Sequence, residues 1–479
     1  MKLSALANES ISPDPFIKGI AVDSRAVGEG YLFAALPGVE TDGARFIPEA
    51  EKRGAAALLA RPGTQSTLPT IFDETPRRRL SSLAARFFPN QPKTIAAITG
   101  ANGKTSTARF AASLWSRLGR KAGSIGTLGA SGPGFERPLT HTTPEPITLH
   151  ETLHQMAEAG TTHLALEASS HALAQHRVDG VRLSIAAFSN ITQDHLDYHG
   201  DFESYLAAKR RLFDEVLPDD GAAVINADGA HAETMINAAR QRGLRVLTTG
   251  RKGQVFRLLE ARPSPAGMSV RIVAEGQNYA LDLPLIGEFQ VENVLLAAGI
   301  VAASGVSPAD IAPLLDGLTG APGRMERVAE IDGAGVYVDY AHTPDAVARA
   351  LDAIRPHASG DVIAVIGAGG DRDKTKRLEM GKAAAARADH VIVTDDNPRT
   401  EDPASIRRAI LEGCPEGEEI ADRADAIAAG VARLRRGNVL LIAGKGHETG
   451  QQIGVEVVPF NDATVAREAV RTRQSELGR

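Results

Sequence analysis

A lysine and a threonine directly after a glycine, at the mouth of a helix, can hold a polyphosphate. The chain carries such a set in TIAAITGANGKTSTARFAASLWSRLG, residues 94–119. An apolar strand runs into Gly100-Ala101-Asn102-Gly103-Lys104-Thr105-Ser106, and a helix with apolar Phe110, Ala111, Leu114 and Leu118 follows at once. The glycines let backbone N–H groups approach phosphate oxygens, Lys104 reaches the β/γ-phosphates, and Thr105 can hold Mg²⁺. Ile98 stands where the usual P-loop has its first glycine, so this is the shorter GxxGK[ST] form. ATP or another nucleoside triphosphate is the expected ligand.

A phosphate loop needs a further metal ligand from a neighbouring strand end. THLALEASSH ends its run His163 to Leu166 in Glu167, followed by Ser169, Ser170 and His171, and LSIAAFSNITQDHLDYHGD delivers Asp194, His195 and Asp197. Any one of these taken alone is better read as a capping residue, but two such strand ends after a phosphate loop favour a metal site. A third constellation is TDDNPRTEDP, residues 394–403, after the strand-like HVIV. An arginine in a loop at the carboxyl end of a strand, set by Asn397-Pro398, can fork a carboxylate or phosphate. Taken alone, the same residues make a solvated turn.

Two patterns point elsewhere and fail. His150-Glu151-Thr152-Leu153-His154 matches H-E-x-x-H, but no third ligand stands out, and the segment reads as an amphipathic helix burying Leu149, Leu153 and Met156. Gly367-Ala368-Gly369-Gly370 suggests a dinucleotide fingerprint, yet Arg372 occupies the place of its last glycine.

These groups need elements to position them. A chain of 479 residues exceeds one core. A first segment to about residue 90 ends at the proline-spaced FFPNQPKT; a second runs to the Gly-Ala-Pro-Gly of residues 320–323; a third repeats strand, loop and helix through GVYVDY, DVIAVIGAGG, HVIVTDD and NVLLIAGKG. The expected fold is α/β in three domains, 1–90, 91–322 and 323–479, the central one a P-loop parallel-sheet domain and the last Rossmann-like. The single cysteine, Cys414, excludes a disulfide framework and fits a reducing cytosol. The amino terminus lacks a signal-peptide core, and no run of about 18 apolar residues occurs, so a cytoplasmic protein is expected. With 53 basic among 59 acidic residues and a net charge of -6, no basic stripe offers itself to nucleic acid.

The chain resembles the Mur ligase family, the ATP-dependent amide ligases of peptidoglycan precursor synthesis, almost end to end. The resemblance rests on VDSR (22–25), GANGKTS (100–106), HTTP (141–144), EASSH (167–171), DHLDYHGD (194–201), AAKRRLF (207–213), GRME (323–326), DYAHTPD (339–345), GGDRDKTKR (369–377), TDDNPR (394–399) and AGKGHE (443–448). It implies a uridine-nucleotide contact at Ser24 and ATP on residues 100–106, with Mg²⁺ near Thr105, Glu167 and His195. It implies muramoyl-dipeptide contacts at Thr142, Thr143, Ser169, Gln175 and Arg177, and nucleotide contacts at Asn293, Arg324, Asp339 and His342. Lys209 matches a lysine that the family carries as a carbamate, an anion able to ligand a second Mg²⁺. Spacing alone makes Lys209 a surface lysine, since KRR is usually a solvated face. In the resembling family DNPR marks the diaminopimelate-adding enzymes, so Asp396, Asn397, Pro398 and Arg399 are expected to meet that amino acid, with Arg372, Gly444 and Glu448 completing the pocket. The expected catalytic set is Lys104, Glu167, His195 and Lys209, and the expected partners are ATP, UDP-N-acetylmuramoyl-L-Ala-D-Glu and meso-diaminopimelate, met by a monomer away from membranes.

Three departures from the family pattern stand out: GEFQVEN replaces its phenylalanine-asparagine pair, GAGGD replaces a cysteine-containing form, and Leu378 stands where proline is common. The competing readings are an L-lysine-adding relative, which DNPR disfavours, a folylpolyglutamate synthetase, which VDSR with HTTP disfavours, and a regulatory P-loop NTPase.

Overall fold

Short apolar runs ending in glycine- or aspartate-rich loops dictate parallel strands, and the computed structural model has them where the sequence reading expects. It describes residues 1–38, 42–192, 196–264 and 267–478, and the side chains of 196 and 197 are also outside the described set. Two units form, Met1–Arg257 with Leu295–Ile311, and Leu258–Val294 with Ala312–Arg479.

In the first unit, β1 (Gly19–Ala21), β2 (Tyr31–Ala34), β3 (Ala57–Ala60) and β4 (Thr70–Phe72) make a parallel sheet in that order. Leu3, Leu6, Leu32, Leu59 and Leu83 are packed on one side of it. A separate sheet contains β5 (Thr94–Thr99), β6 (Ala122–Gly126), β7 (Gly129–Gly132), β8 (Phe135–Arg137), β9 (His163–Glu167), β10 (Ile185–Phe188), β11 (Ala222–Asn226) and β12 (Arg245–Gly250). Their order is β12-β11-β10-β5-β9-β6-β7-β8, parallel from β12 to β6 and antiparallel through β7 and β8. Because β5 lies between β9 and β10, the loops that follow all three emerge side by side. The strands are buried without alternation, as parallel strands covered on both faces must be.

The second unit begins within β13 (Phe256–Ser264), which is followed by the antiparallel pair β14 (Gly267–Ala274) and β15 (Gln277–Leu283). Its other sheet contains β16 (Glu326–Ile331), β17 (Ala334–Asp339), β18 (Val362–Ile366), β19 (His390–Val393), β20 (Glu418–Glu419) and β21 (Val439–Ala443), in the order β16-β17-β21-β18-β19-β20. All pairs are parallel except β16 with β17. A hairpin of β22 (Gly450–Ile453) and β23 (Glu456–Pro459) follows. Among the described residues no helix is long and apolar enough to cross a membrane.

Candidate active site

The phosphate loop is held from below by the loop after β10. Ser189 Oγ donates to the Asn102 carbonyl at 2.6 Å, Ala101 N–H to the Asn190 carbonyl at 2.8 Å, and Asn102 N–H to Asn190 Oδ1 at 3.0 Å. The N–H groups of Ala101 and Asn102 are therefore already engaged. Those of Thr105 and Ser106, in the first turn of the Lys104–Arg117 helix, have no i−4 carbonyl within the helix and suit an anion. Lys104 Nζ donates to the carbonyls of Gly100 and Ala101, both at 2.9 Å, folding over the loop it is expected to serve.

Glu167 ends β9 and is 2% exposed. Its carboxylate accepts from Thr105 Oγ1 at 3.0 Å, from Thr127 N–H at 2.9 Å and from Thr127 Oγ1 at 3.2 Å. Gly126 makes room for it, since a Cβ there would lie 2.0 Å from Glu167 Oε1. A buried carboxylate beside a P-loop hydroxyl is a hard-oxygen donor set, which fits Mg²⁺. Asp194 and His195 lie outside the described residues, as does the side chain of Asp197. Among the described residues no three His, Cys, Asp or Glu gather as a metal site.

Lys209 departs from what its spacing suggests. It is 1% exposed, donates from Nζ to the Gly100 carbonyl at 2.8 Å, and lies 4.5 Å from the centre of the Tyr205 ring. The amphipathic period turns it inward, while neighbouring Arg210 and Arg211 pair along the helix with Asp214 and Glu215. As an ammonium it cannot ligand a cation.

The expected dipeptide residues converge. Thr143 Oγ1 donates to the Glu167 carbonyl at 2.7 Å and accepts from Ser169 N–H at 3.0 Å. Arg177 donates to the Thr143 carbonyl at 2.8 Å and to Gln175 Oε1 at 2.7 Å, and pairs with Glu145 at 2.7 Å. Gln175 Nε2 donates to Tyr198 Oη at 2.9 Å. Thr142 Oγ1 is 3.0 Å from Thr127 Oγ1, so a hydroxyl chain links this group to Glu167. Ser24 stands apart on the first sheet's loops, donating to Glu49 Oε2 at 2.9 Å.

The H-E-x-x-H histidines serve the segment that joins the first two sheets. Asn90 N–H donates to His154 Nδ1 at 3.2 Å, and Gln91 Nε2 lies 3.5 Å from His150 Nδ1 while donating to the Gly180 carbonyl at 3.2 Å. Burial pushes His150 down to about 3.

In the second unit, TDDNPR follows β19 and is clamped from two sides. On one side the backbone of Gly370 fits against it: Gly370 N–H donates to the Asn397 carbonyl at 2.9 Å, and a Cβ on Gly370 would lie 1.9 Å from the Pro398 carbonyl oxygen. The glycines of GAGGD thus serve close backbone approach. On the other side stands the β22–β23 hairpin. Gln452 N–H donates to Asn397 Oδ1 at 2.9 Å, Arg399 N–H to the Gln452 carbonyl at 3.1 Å, and Gly454 N–H to the Arg399 carbonyl at 2.7 Å. Arg399 adopts φ 52°, a conformation costly for a non-glycine residue and held here by both clamps. Its Nη1 donates to the Gly370 carbonyl at 2.7 Å.

Asn397 Nδ2 donates to Glu448 Oε2 at 2.8 Å, and Lys445 Nζ reaches both Asn397 Oδ1 and Glu448 Oε2 at 3.0 Å. The Asp396 carbonyl accepts from Gln451 Nε2 at 2.8 Å, and Gly444 N–H donates to the Asp339 carbonyl at 3.1 Å. Arg372 is exposed.

The other expected nucleotide contacts of this unit gather near Tyr340. The Arg324 guanidinium lies 4.8 Å from its ring centre, His342 Nδ1 lies 2.8 Å from its carbonyl, and the His447 ring is 5.2 Å away. Asp339 accepts from Met325 N–H at 2.7 Å, and burial raises its pKa. Burial and then Arg324 push His447 down to about 4. Asn293 Nδ2 donates to Gln290 Oε1 at 3.1 Å, and Gln290 Nε2 to the Arg324 carbonyl at 3.2 Å.

Sequence reasoning did not single out Thr127, Asn190, Tyr340 or Lys445, nor the hairpin. The hairpin had a signal in GQQIGVEVVP, two β-prone runs split by a glycine. Thr127 and Asn190 act through partners 40 and 88 residues away, which no local pattern marks, whereas Tyr340 and Lys445 lie inside DYAHTPD and AGKGHE without being read individually.

Three family models match: "Mur ligase family, catalytic domain" at residues 16–88, "Mur ligase middle domain" at 98–301 and "Mur ligase, glutamate ligase domain" at 323–446. A protein of Bradyrhizobium diazoefficiens named UDP-N-acetylmuramoyl-L-alanyl-D-glutamate--2,6-diaminopimelate ligase is 48% identical, over 99% of this chain and 100% of its own. A protein of the same name from Caulobacter vibrioides is 49% identical over 98% of each. A solved structure, also bearing that name, superposes with a TM-score of 0.75 at 33% identity, covering 99% of both chains.

Proposed function

The chain belongs to the Mur ligase family, and on that premise we propose that it is the ATP-dependent ligase joining meso-diaminopimelate to UDP-N-acetylmuramoyl-L-alanyl-D-glutamate, in peptidoglycan precursor synthesis. The observation that carries this reading is near-half identity across virtually the whole chain to two proteins of that name. The protein acts as a cytoplasmic monomer, and its domains are 1–90, 91–322 and 323–479, a division supported by family matches at 16–88, 98–301 and 323–446.

A carboxylate does not acylate an amine at neutral pH, so the terminal carboxylate of the dipeptide first attacks the γ-phosphorus of ATP. The bond to the bridging oxygen breaks, ADP leaves, and an acyl phosphate remains. The amine of diaminopimelate then attacks the acyl carbon, phosphate departs, and the nitrogen loses a proton. Lys104 and the first-turn N–H groups of residues 104–106 offset charge on the transferring phosphoryl group. Thr105 and Glu167 would hold Mg²⁺, with His195 and a carbamylated Lys209, and the ion supplies positive charge beside the phosphates. Thr142, Thr143, Ser169, Gln175 and Arg177 hold the dipeptide and Ser24 the uridine nucleotide. Asn293, Arg324, Asp339 and His342 contact ATP. Orientation of the reacting groups is the main contribution left to the protein.

Arg372, Asp396, Asn397, Pro398, Arg399, Gly444 and Glu448 receive diaminopimelate. Its distal centre carries a carboxylate that L-lysine lacks, and the Arg399 guanidinium reads that difference. Truncating one partner of such a pair costs about 2–5 kcal/mol. Arg399→Ala is therefore expected to raise the apparent KM for diaminopimelate roughly thirty-fold to several thousand-fold, with the values for ATP and the UDP-dipeptide little changed. An unchanged diaminopimelate value, or an equal rise for all three substrates, would return Arg399 to a structural turn.

A further inference from the structure

Lys445 is a fully buried cation, with side-chain exposure of 0%, whereas its partner Glu448 keeps 32%. The ammonium therefore stands behind the Glu448 carboxylate and away from solvent. It donates to Asn397 Oδ1 and Glu448 Oε2, both at 3.0 Å. An ammonium has donors only, so the end of the Asn397 side chain that faces it must be the oxygen. Gln452 N–H, 2.9 Å from the same oxygen, imposes the same orientation. The amide nitrogen is thereby turned to Glu448, at 2.8 Å. The buried charge and the Gln452 N–H together orient Asn397, and the charge and the Asn397 amide together hold one Glu448 oxygen.

We infer that Lys445 is a positioning residue that sets the amino-acid selectivity of the 396–399 loop, through Asn397 and Glu448. The inference rests on the reading of that loop as the diaminopimelate site. The distal centre of diaminopimelate carries an ammonium and a carboxylate; the end of L-lysine carries an ammonium alone. A site for the former needs an acceptor and a guanidinium at a fixed separation, with little surplus negative charge. Lys445 offsets the charge of Glu448 and holds it in register with Arg399. Without it, Glu448 loses the cation paired with it at 3.0 Å, and the freed carboxylate tolerates a lone ammonium better than a zwitterion. Lys445 itself, shut away from solvent, touches no substrate.

The test is steady-state kinetics on Lys445→Met, which keeps the volume and removes the charge, with diaminopimelate and L-lysine as alternative amino acids. The apparent KM for diaminopimelate should rise roughly ten-fold or more, with those for ATP and the UDP-dipeptide within about two-fold. The ratio of kcat/KM for L-lysine to that for diaminopimelate should increase. If Lys445 acts through Glu448, the effects of Lys445→Met and Glu448→Gln on the diaminopimelate KM will not add in the double variant. Should the methionine variant fail to fold, Lys445→Gln, which keeps a neutral amide N–H donor, is expected to give the same substrate-specific pattern to a smaller degree. A uniform change across all three substrates, an unchanged diaminopimelate KM, or strict additivity would overturn the inference. Arg399→Ala in the same assay separates the two levels. If it spares diaminopimelate, the site assignment fails; if it impairs diaminopimelate while the Lys445 variants do not, only the role of Lys445 fails.

Discussion

Lys209 is the residue whose environment departs most from its local sequence. The run KRR reads as a solvated helix face, yet the side chain is buried at 1% exposure and its ammonium donates to a phosphate-loop carbonyl. Only the family motif pointed inward, because local charge runs say nothing about what packs over a helix from 109 residues away. The proposed carbamate at this buried position, against the proposed ATP loop, would exchange a cation for an anion at one point. Lys209→Ala is accordingly expected to lose at least about a hundred-fold in kcat, more than the 10–100-fold that outlying metal-site residues cost. Lys209→Glu should recover part of it, since a carboxylate partly replaces a carbamate. Turnover of both variants at the wild-type rate would make Lys209 a packing residue.

At the scale of elements, the helix Pro146–Glu158 shows what periodicity can and cannot carry. Its buried side, Leu149, Leu153 and Met156, was legible from the 3.6-residue repeat. The task of its histidines was not, because their partners, Asn90 and Gln91, lie about sixty residues earlier. The hairpin against Arg399 was missed for a related reason: short exposed strands are specified by what they clamp. Burial holds His150 neutral down to about 3, against 6.5 when unfolded. The unfolded chain therefore takes up the proton first as pH falls. The contribution of this residue to stability is complete above about pH 6.5 and declines towards pH 3, by about 2 kcal/mol at pH 5. Denaturant unfolding at pH 8 and pH 5 should show a smaller loss on acidification for His150→Gln than for wild type. Identical pH dependence in the two proteins would mean that His150 is not held neutral.

Across the whole molecule, the strand-loop-helix order and the loops that carry the proposed site were readable, because parallel strands are apolar throughout and their carboxyl ends break into glycines, prolines and charged residues. The units were less readable. Leu258–Val294 falls with the carboxyl-terminal unit, although its far end lies inside a continuous helix with no linker to mark it. Chain-wide similarity points to one reaction, and its product is the most direct witness. Purified protein should be given ATP, Mg²⁺, UDP-N-acetylmuramoyl-L-alanyl-D-glutamate and, separately, meso-diaminopimelate, L-lysine and L-glutamate, with the product identified by mass. The expected result is a UDP-tripeptide heavier by one diaminopimelate residue, formed with release of ADP and phosphate, and little or no product with the other two. Preferential addition of L-lysine or L-glutamate, or ATP hydrolysis that proceeds without any amino acid joined, would contradict the account.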